Sequence, residues 1–228
     1  MMYVDLHIHT ALSPCASDDM TPNNIVNMAL LKGLDAIAVT DHNSSLNVRA
    51  VVQVAKGRIK VIPGMEVQSR EDVHILCLFD SCEGAERFQE VIYRHLPPVS
   101  NREEIFGRQL IMDCNDDIVG VEDRLLLNAV NLSVEDICAL SRDCGGISIP
   151  AHVDRQGFGM LYQLGFIPDN LLFTHLEVSR HCDIPDFLRA HPELMKYHII
   201  KSSDAHQLGD ILERYDAVEI CIPDLNLY

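Results

Sequence analysis

Tyr3-Val4-Asp5-Leu6-His7-Ile8-His9 is the stretch whose reading decides the fold. Its β-branched and apolar residues interleave with polar ones, which is the pattern of a strand. Residues i and i+2 of a strand face the same side, so His7 and His9 point together toward one metal ion. The same kind of residue recurs along the chain, in Thr40-Asp41-His42, Pro63-Gly64-Met65-Glu66, His74, Ala151-His152 and Ser203-Asp204-Ala205-His206. His7/His9, Asp41/His42, Glu66, His152 and Asp204/His206 each fall at or just past the end of an apolar, strand-like run. Such placements from one end of the chain to the other point to a single multinuclear metal site. His74 is the exception, because it stands at the start of its run, and its place depends on strand direction.

Working outward, strands alternate with helices. Thr21-Pro22 is a helix start, with Thr as N-cap and Pro in the first turn, and Ile25, Met28, Ala29 and Leu31 follow at helical spacing. Leu34 to Thr40 reads as a buried strand, Leu46 to Lys56 as a helix, and Ile59 to Pro63 and Val73 to Phe79 as strands. Ser133 with Asp136 three residues on forms a capping pair. Val134, Ile137, Cys138 and Ser141 then make one helical face ahead of Gly145-Gly146. Ile147 to Pro150, Leu172 to Val178, Tyr197 to Lys201 and Ala217 to Cys221 complete the strand candidates. Seven or eight short strands separated by helices favour a single α/β domain built as a barrel over a sandwich. A barrel presents its chemistry at the C-terminal ends of its strands, where these residues fall. Residues 95–131 break the rhythm: Pro97-Pro98, Leu110-Ile111-Met112, Asn115-Asp116-Asp117 and Ile118-Val119-Gly120 read as a helix plus hairpin inserted over one end, either an ordinary connection or a cap on the substrate pocket.

Composition bounds the function. The 228 residues are 47% hydrophobic, enough for a substantial core. No apolar run reaches the roughly 18 residues of a membrane span. No basic, apolar leader opens the chain, and its eight cysteines include no Cys-x-x-Cys pair. A cytoplasmic protein with reduced thiols is expected. The formal net charge of -16, with no Lys/Arg cluster, sets the expectation that long nucleic acid is not a partner.

Each residue also has an ordinary reading. His95, His191 and His198 have nothing convergent around them and read as surface or core histidines. Asp41 can cap the next helix or support a ligand from behind. His74, among Val73, Ile75 and Leu76, can be a satisfied core histidine. Glu66 lies in otherwise apolar sequence, where a buried carboxylate needs a partner, and a metal ion is a natural one. Imidazoles mixed with carboxylates suit Zn, Mn or Fe without choosing among them.

The ordered set Asp5-x-His7-x-His9-Thr10, Thr40-Asp41-His42, Gly64-x-Glu66, His74, Ala151-His152 and Ser203-Asp204-x-His206 resembles the PHP (polymerase and histidinol phosphatase) family, over residues 5 to 206. The resemblance implies a distorted (β/α)7 TIM-like barrel with two or three divalent metal ions and phosphoesterase activity. It implies that His7, His9, Glu66 and Asp204 hold one ion, and that Glu66 bridges to a second held by His74 and His152. His42 and His206 then hold a third, with one more ligand from the loop after β-strand one. Many family members carry Ser-Asp-Gly there. This chain has the longer Ala11-Leu12-Ser13-Pro14-Cys15-Ala16-Ser17-Asp18-Asp19, in which Asp18 is the expected ligand and Asp19 and Cys15 are its rivals.

The chemistry expected from that set is attack of a metal-activated water on a phosphate ester. The leaving alkoxide is either held by a metal or protonated by Asp204 or His206, and Arg155 and Arg180 either contact phosphate or are ordinary surface arginines. A small phosphorylated substrate, a monoester or nucleotide, is expected, and the oligomeric state is left open. Two alternatives remain: an amide or ester hydrolase on the same barrel, and a non-catalytic module stabilised by its metals.

Overall fold

The computed structural model describes residues 2–220. The opening stretch forms β1 (Met2–Ile8), followed by α1 (Pro22–Leu31), β2 (Ala36–Val39), α2 (Val48–Ala55) and β3 (Lys60–Gln68). β1, β2 and β3 run parallel, and β4 (His74–Phe79) turns back antiparallel on β3. After α3 (Cys82–His95) come the short α4 (Glu103–Phe106) and a hairpin of β5 (Leu110–Met112) with β6 (Ile118–Val121). The chain then makes α5 (Val134–Asp143), β7 (Gly146–Pro150), α6 (Met160–Leu164), β8 (His175–Val178), α7 (Ile184–Ala190), β9 (His198–Lys201) and β10 (Val218–Ile220). Cys221, the last residue of the expected C-terminal strand, lies outside the described residues.

A curled sheet of six strands, in the order β10-β1-β2-β3-β4-β7, makes most of a barrel wall. The parallel pair β8–β9 completes it: Val153 N donates to Glu177 O (2.9 Å) and Ser202 N to Val178 O (3.3 Å). The ring closes at one end only. There the segment after β9 bridges β1, with His9 N on Ala205 O (3.0 Å) and Ala205 N on His7 O (3.1 Å). At the other end β10 takes the edge of β1 instead, antiparallel. The result is an α/β barrel of distorted TIM type.

Side-chain alternation sorts the core into layers. Val4 and Leu6, Ala36 and Ala38, Ile62, Leu76 and Leu78, Ile149 and Ile200 form one buried cluster that fills the ring. Ile37 and Val39 face outward onto Ile25, Val26 and Ala29 of α1 and Val48, Val51 and Val54 of α2. On the β3–β4 side, Met65, Val67, Ile75 and Cys77 pack on Phe88 and Ile92 of α3 and Ile137 of α5. In β1 the alternation breaks: Leu6 belongs to the interior, Ile8 to the outer layer, and the pairing with β2 shifts register between Asp5 and Ile8. This bulge brings His7 and His9 to the face that Val4 and Leu6 occupy, above the apolar plug.

Local signals explain the element ends. The Thr21 hydroxyl accepts from Asn24 N, a cap worth about 1 kcal/mol, and Ser133 and Asp136 make a reciprocal capping box. β3 runs beyond the expected Pro63, so Glu66 lies within the strand and not after it. Gly64 makes that possible, because a Cβ there would stand 2.9 Å from both Leu78 Cδ2 and Thr40 Cγ2. β8 starts only at His175, since Asp169–Leu171 is a 3-10 turn that leads into Leu172 at φ 54.

Residues 95–131 pack across the loop that follows His9. Leu110 N donates to Ala11 O (2.8 Å), and Asp116 accepts from Thr21 Oγ1 (2.8 Å) and Asn23 N (3.0 Å). Gly107, at φ 98, is held so close that a Cβ would sit 2.1 Å from Pro14 O. Asn43 Nδ2 reaches Leu126 O (2.7 Å) from the neighbouring loop.

Candidate metal centre

At the closed end of the ring, donor atoms from strands distant in sequence converge. His7 Nε2 and His9 Nε2 lie 3.1 Å apart, and Asp204 Oδ1 is 3.3 Å from the first and 3.1 Å from the second. Glu66 stands between two sets of imidazoles. Its Oε1 is 2.8 Å from His74 Nδ1, 3.1 Å from His152 Nε2 and 3.3 Å from His7 Nε2. Its Oε2 is 2.9 Å from His42 Nδ1 and 3.6 Å from His9 Nε2. The place of His74 follows from strand direction. β4 runs antiparallel to β3, so the start of β4 lies at the same end as the close of β3, and Gln68 pairs with His74.

Behind these atoms a layer of hydrogen bonds fixes each ring. Glu177, fully buried, takes His7 Nδ1 on Oε1 (2.9 Å) and the backbone N of His152 on Oε2 (2.8 Å). This contact fixes the His7 ring and turns its Nε2 toward the cluster. Ser13 Oγ does the same for His9: it donates to Asp41 Oδ1 (2.7 Å), and it accepts from His9 Nδ1 (2.9 Å) and His42 N (3.1 Å). Asp41 also accepts from Thr10 N and Thr10 Oγ1, both at 2.7 Å, so it anchors the loop and does not face the cluster. Phe158 stacks on His74 at 4.4 Å. His152 and Asp204 both adopt left-handed backbone, at φ 31 and φ 53, a conformation that non-glycine residues keep only where their surroundings enforce it.

The electrostatics are those of a tightly coupled cluster. Burial opposes the charge on Glu66, but His74, His7 and His42 outweigh it and hold the carboxyl well below the carboxylate range. Asp204 is likewise lowered against burial, chiefly by His7 and His9. Burial and the neighbouring His206 and His42 push His9 well down, whereas Glu177, Glu66 and Asp204 outweigh burial and raise His7 well above its ordinary value. Cys15 has an exposed residue surface, yet its thiol is drawn to about 6 by His206 and His42 against desolvation of the sulfur.

These side chains suit divalent ions. Among the described residues, three groups have donor atoms within 4.8 Å of one another: His7, His9, Glu66 and Asp204; His42, Glu66 and His74; and His9, His42 and His206. Two imidazole lone pairs aimed at each other across 3.1 Å are repulsive unless a proton or a cation lies between them. Glu66 Oε2 and His152 Nδ1 are buried without a hydrogen-bond partner, which an ion at the carboxylate relieves for the first of the two.

Not every expected residue joins the cluster. Asp18 points away: it pairs with Arg108 from the 95–131 segment, and its side chain is 49% exposed. Asp19 is exposed. Arg180 is held by Asp210 Oδ1 (2.8 Å) and O (3.0 Å), away from the donors. Arg155 does reach the cluster, through Asp204 Oδ2. Glu177 and Ser13 had no part in the sequence expectations, and their partners lie elsewhere in the fold.

The PHP domain family model matches residues 5–154. The chain belongs to the PHP family. Its clustered His, Glu and Asp side chains are able to hold metal ions. Over 224 residues it is 28% identical to the uncharacterized protein MJ0043 of Methanocaldococcus jannaschii, with 96% of this chain covered and 24% of that one. This PHP chain thus spans about a quarter of the length of that curated relative. Among solved structures, the lesion-specific endonuclease Q of Pyrococcus furiosus is similar over 91% of this chain and 49% of its own (TM-score 0.66, 22% identity). An amidohydrolase of Chromobacterium violaceum is similar over 98% and 96% (TM-score 0.64, 19% identity).

One expectation is corrected. Endonuclease Q has also been solved on a 27-mer duplex with an abasic lesion at its active site, and that structure matches 91% of this PHP chain and 50% of its own (TM-score 0.63, 22% identity). The expectation of a small phosphorylated substrate and no long nucleic acid, which rested partly on net charge, is therefore overturned. Net charge sums the whole surface, whereas bound cations set the field at the site itself. No helix among the described residues is long and apolar enough to cross a membrane.

Proposed function

We propose that this PHP chain is a metal-dependent phosphoesterase that holds two or three Zn, Mn or Fe ions and acts on phosphodiesters of nucleic acid. The observation that carries the reading is Glu66, whose carboxylate lies within 3.6 Å of His7 and His9 and also of His74 and His152, where one carboxylate can serve two ions. His7, His9 and Asp204 serve the first ion with Glu66, and His74 and His152 serve the second. His42 and His206 serve the third. When bound, such ions supply an activated water at neutral pH and stabilise charge on phosphoryl oxygens. The likeness of the fold to a DNA-bound endonuclease supports nucleic acid as the substrate class.

The chain's own residues bind and orient. Arg155, 39% exposed in its side chain, leaves Asp204 to take a phosphate oxygen in its planar fork. When only the two inner ions are bound, His206 is the accessible group for the leaving oxygen, with its side chain 26% exposed against 12% for Asp204. Residues 95–131, packed on the loop after His9, act as the cap that shapes the entrance.

The test is hydrolysis by metal-loaded protein of bis-p-nitrophenyl phosphate, p-nitrophenyl acetate, and single- and double-stranded oligonucleotides with and without an abasic site. Metal-dependent cleavage of diesters, lost together with bound metal in His9→Ala, is the expected result. Turnover of the acetate alone would favour the amide or ester hydrolase, the reading that the likeness to the amidohydrolase barrel supports. Loaded protein inert toward every phosphodiester overturns the proposal.

A further inference from the structure

The rim of the cluster, formed by His9, His42 and His206, has imidazoles but no carboxylate of its own. The loop beside it is tightly tethered. Ser13 is fixed to the His42 backbone (3.1 Å), Ser17 N donates to His206 O (2.9 Å), and Ala16 N donates to Ser13 O (2.9 Å) to close the turn between them. Cys15 lies in the middle of that turn, with its thiol beside the His42 and His206 rings. The loop's acidic residues are directed elsewhere, Asp18 to Arg108 and Asp19 to solvent. On the opposite side of His42, buried Glu66 Oε2 stands 2.9 Å from Nδ1 and makes no well-directed hydrogen bond.

We propose that Cys15 supplies a sulfur ligand at the rim, so that His42, His206 and Cys15 form a site for a thiophilic divalent ion such as zinc. This rests on reading the cluster as a metal centre. Binding replaces the S–H bond by a sulfur–metal bond and releases the proton to solvent. Sulfur in place of a carboxylate selects zinc or cobalt over magnesium and calcium, which prefer oxygen. The inner groups, with two imidazoles and one or two carboxylates each, carry no such bias. The rim ion and the inner ions therefore differ in identity or in strength of binding.

Cobalt(II) substitution tests this without reference to catalysis, because a cobalt–thiolate bond gives a near-ultraviolet charge-transfer band that imidazole and carboxylate ligands do not. The cobalt-loaded protein shows the band. Cys15→Ser loses both the band and one metal equivalent, Cys15→Asp recovers the equivalent without the band, and Cys182→Ser keeps both. Circular dichroism of each metal-free variant checks the fold. A band that survives in Cys15→Ser, or wild-type protein that binds its full cobalt complement with no band, overturns the assignment of Cys15 and leaves the metal-centre reading intact. Protein that binds no cobalt, zinc or manganese overturns both.

Discussion

The inner part of the cluster and its rim are built by different means. Inside, His7, Glu66 and His74 sit on β1, β3 and β4, and Asp204 and His152 follow strands directly, so backbone ladders place the donors. At the rim, His42 and His206 follow strands β2 and β9, but the group that meets them comes from a loop. That loop is held by Ser13, Asp41, a bond to the His206 carbonyl and the packing of residues 95–131 across it. Donors on a sheet are fixed by the fold as a whole, and donors on a loop by a few hydrogen bonds that can be removed one at a time. The inner donors should thus fail together and the rim donors separately.

Glu66→Gln is the strongest test of that difference. Loss of the shared carboxylate removes inner metal, and activity on a diester falls by about 10³-fold. Elemental analysis that finds full inner occupancy in this variant would break the distinction. Chelation comes next. Ligands at a hundredfold excess over Kd stabilise by about 2.7 kcal/mol, so stripping the ions lowers Tm by roughly 5–10 °C for a chain of this size, measured by calorimetry. The pH dependence follows in sign. Burial works against a charged His42, but Glu66 and Cys15 outweigh it and raise its pKa to about 10 in the metal-free protein. A group raised on folding stabilises below its unfolded value and loses that contribution as pH rises through the folded one. The metal-free protein therefore loses stability from neutral pH toward about 10, whereas metal affinity increases with pH because the rings must shed their protons.

Smaller effects separate the two regions. Glu177→Gln loosens His7 and lowers inner metal affinity by about 10- to 100-fold with little change at the rim. Asp41→Asn frees the Ser13 loop and lowers occupancy of the rim before that of the inner groups, which isothermal titration of the metal-free variant resolves as loss of one binding phase. Ser133→Ala, at the N-terminus of α5 and far from the donors, costs about 1 kcal/mol in denaturant unfolding and leaves metal content unchanged.

The same division governs what the sequence disclosed. Thr21-Pro22 and Ser133 with Asp136 act within one helical turn, so their effect is local and readable. His7 and His9 share a face by strand alternation, yet the bulge that turns that face toward the ring interior depends on the pairing with β2. His74 required the direction of β4, a property of the sheet. Glu177 was invisible because its partner His7 is 170 positions away. α3 was passed over even though Ser81 caps it and Ala85, Phe88 and Ile92 are buried at helical spacing. Asp18 was favoured as a carboxylate at a plausible distance along the loop. Its actual partner, Arg108, comes from a hairpin segment whose packing nothing near Asp18 encodes.

The closure of the ring by Ala205 against His7 and His9 also sets an order of events on the ribosome. His42, Glu66 and His74 emerge early and close together. The pair His7 and His9, although made first, waits for Asp204, 195 positions after His9. At ordinary rates of elongation that wait is on the order of ten seconds. Under the proposed assignment the first ion would gain its full ligand set only once Asp204 has been made, so its loading would follow the pairing of Ala205 with His7 and His9.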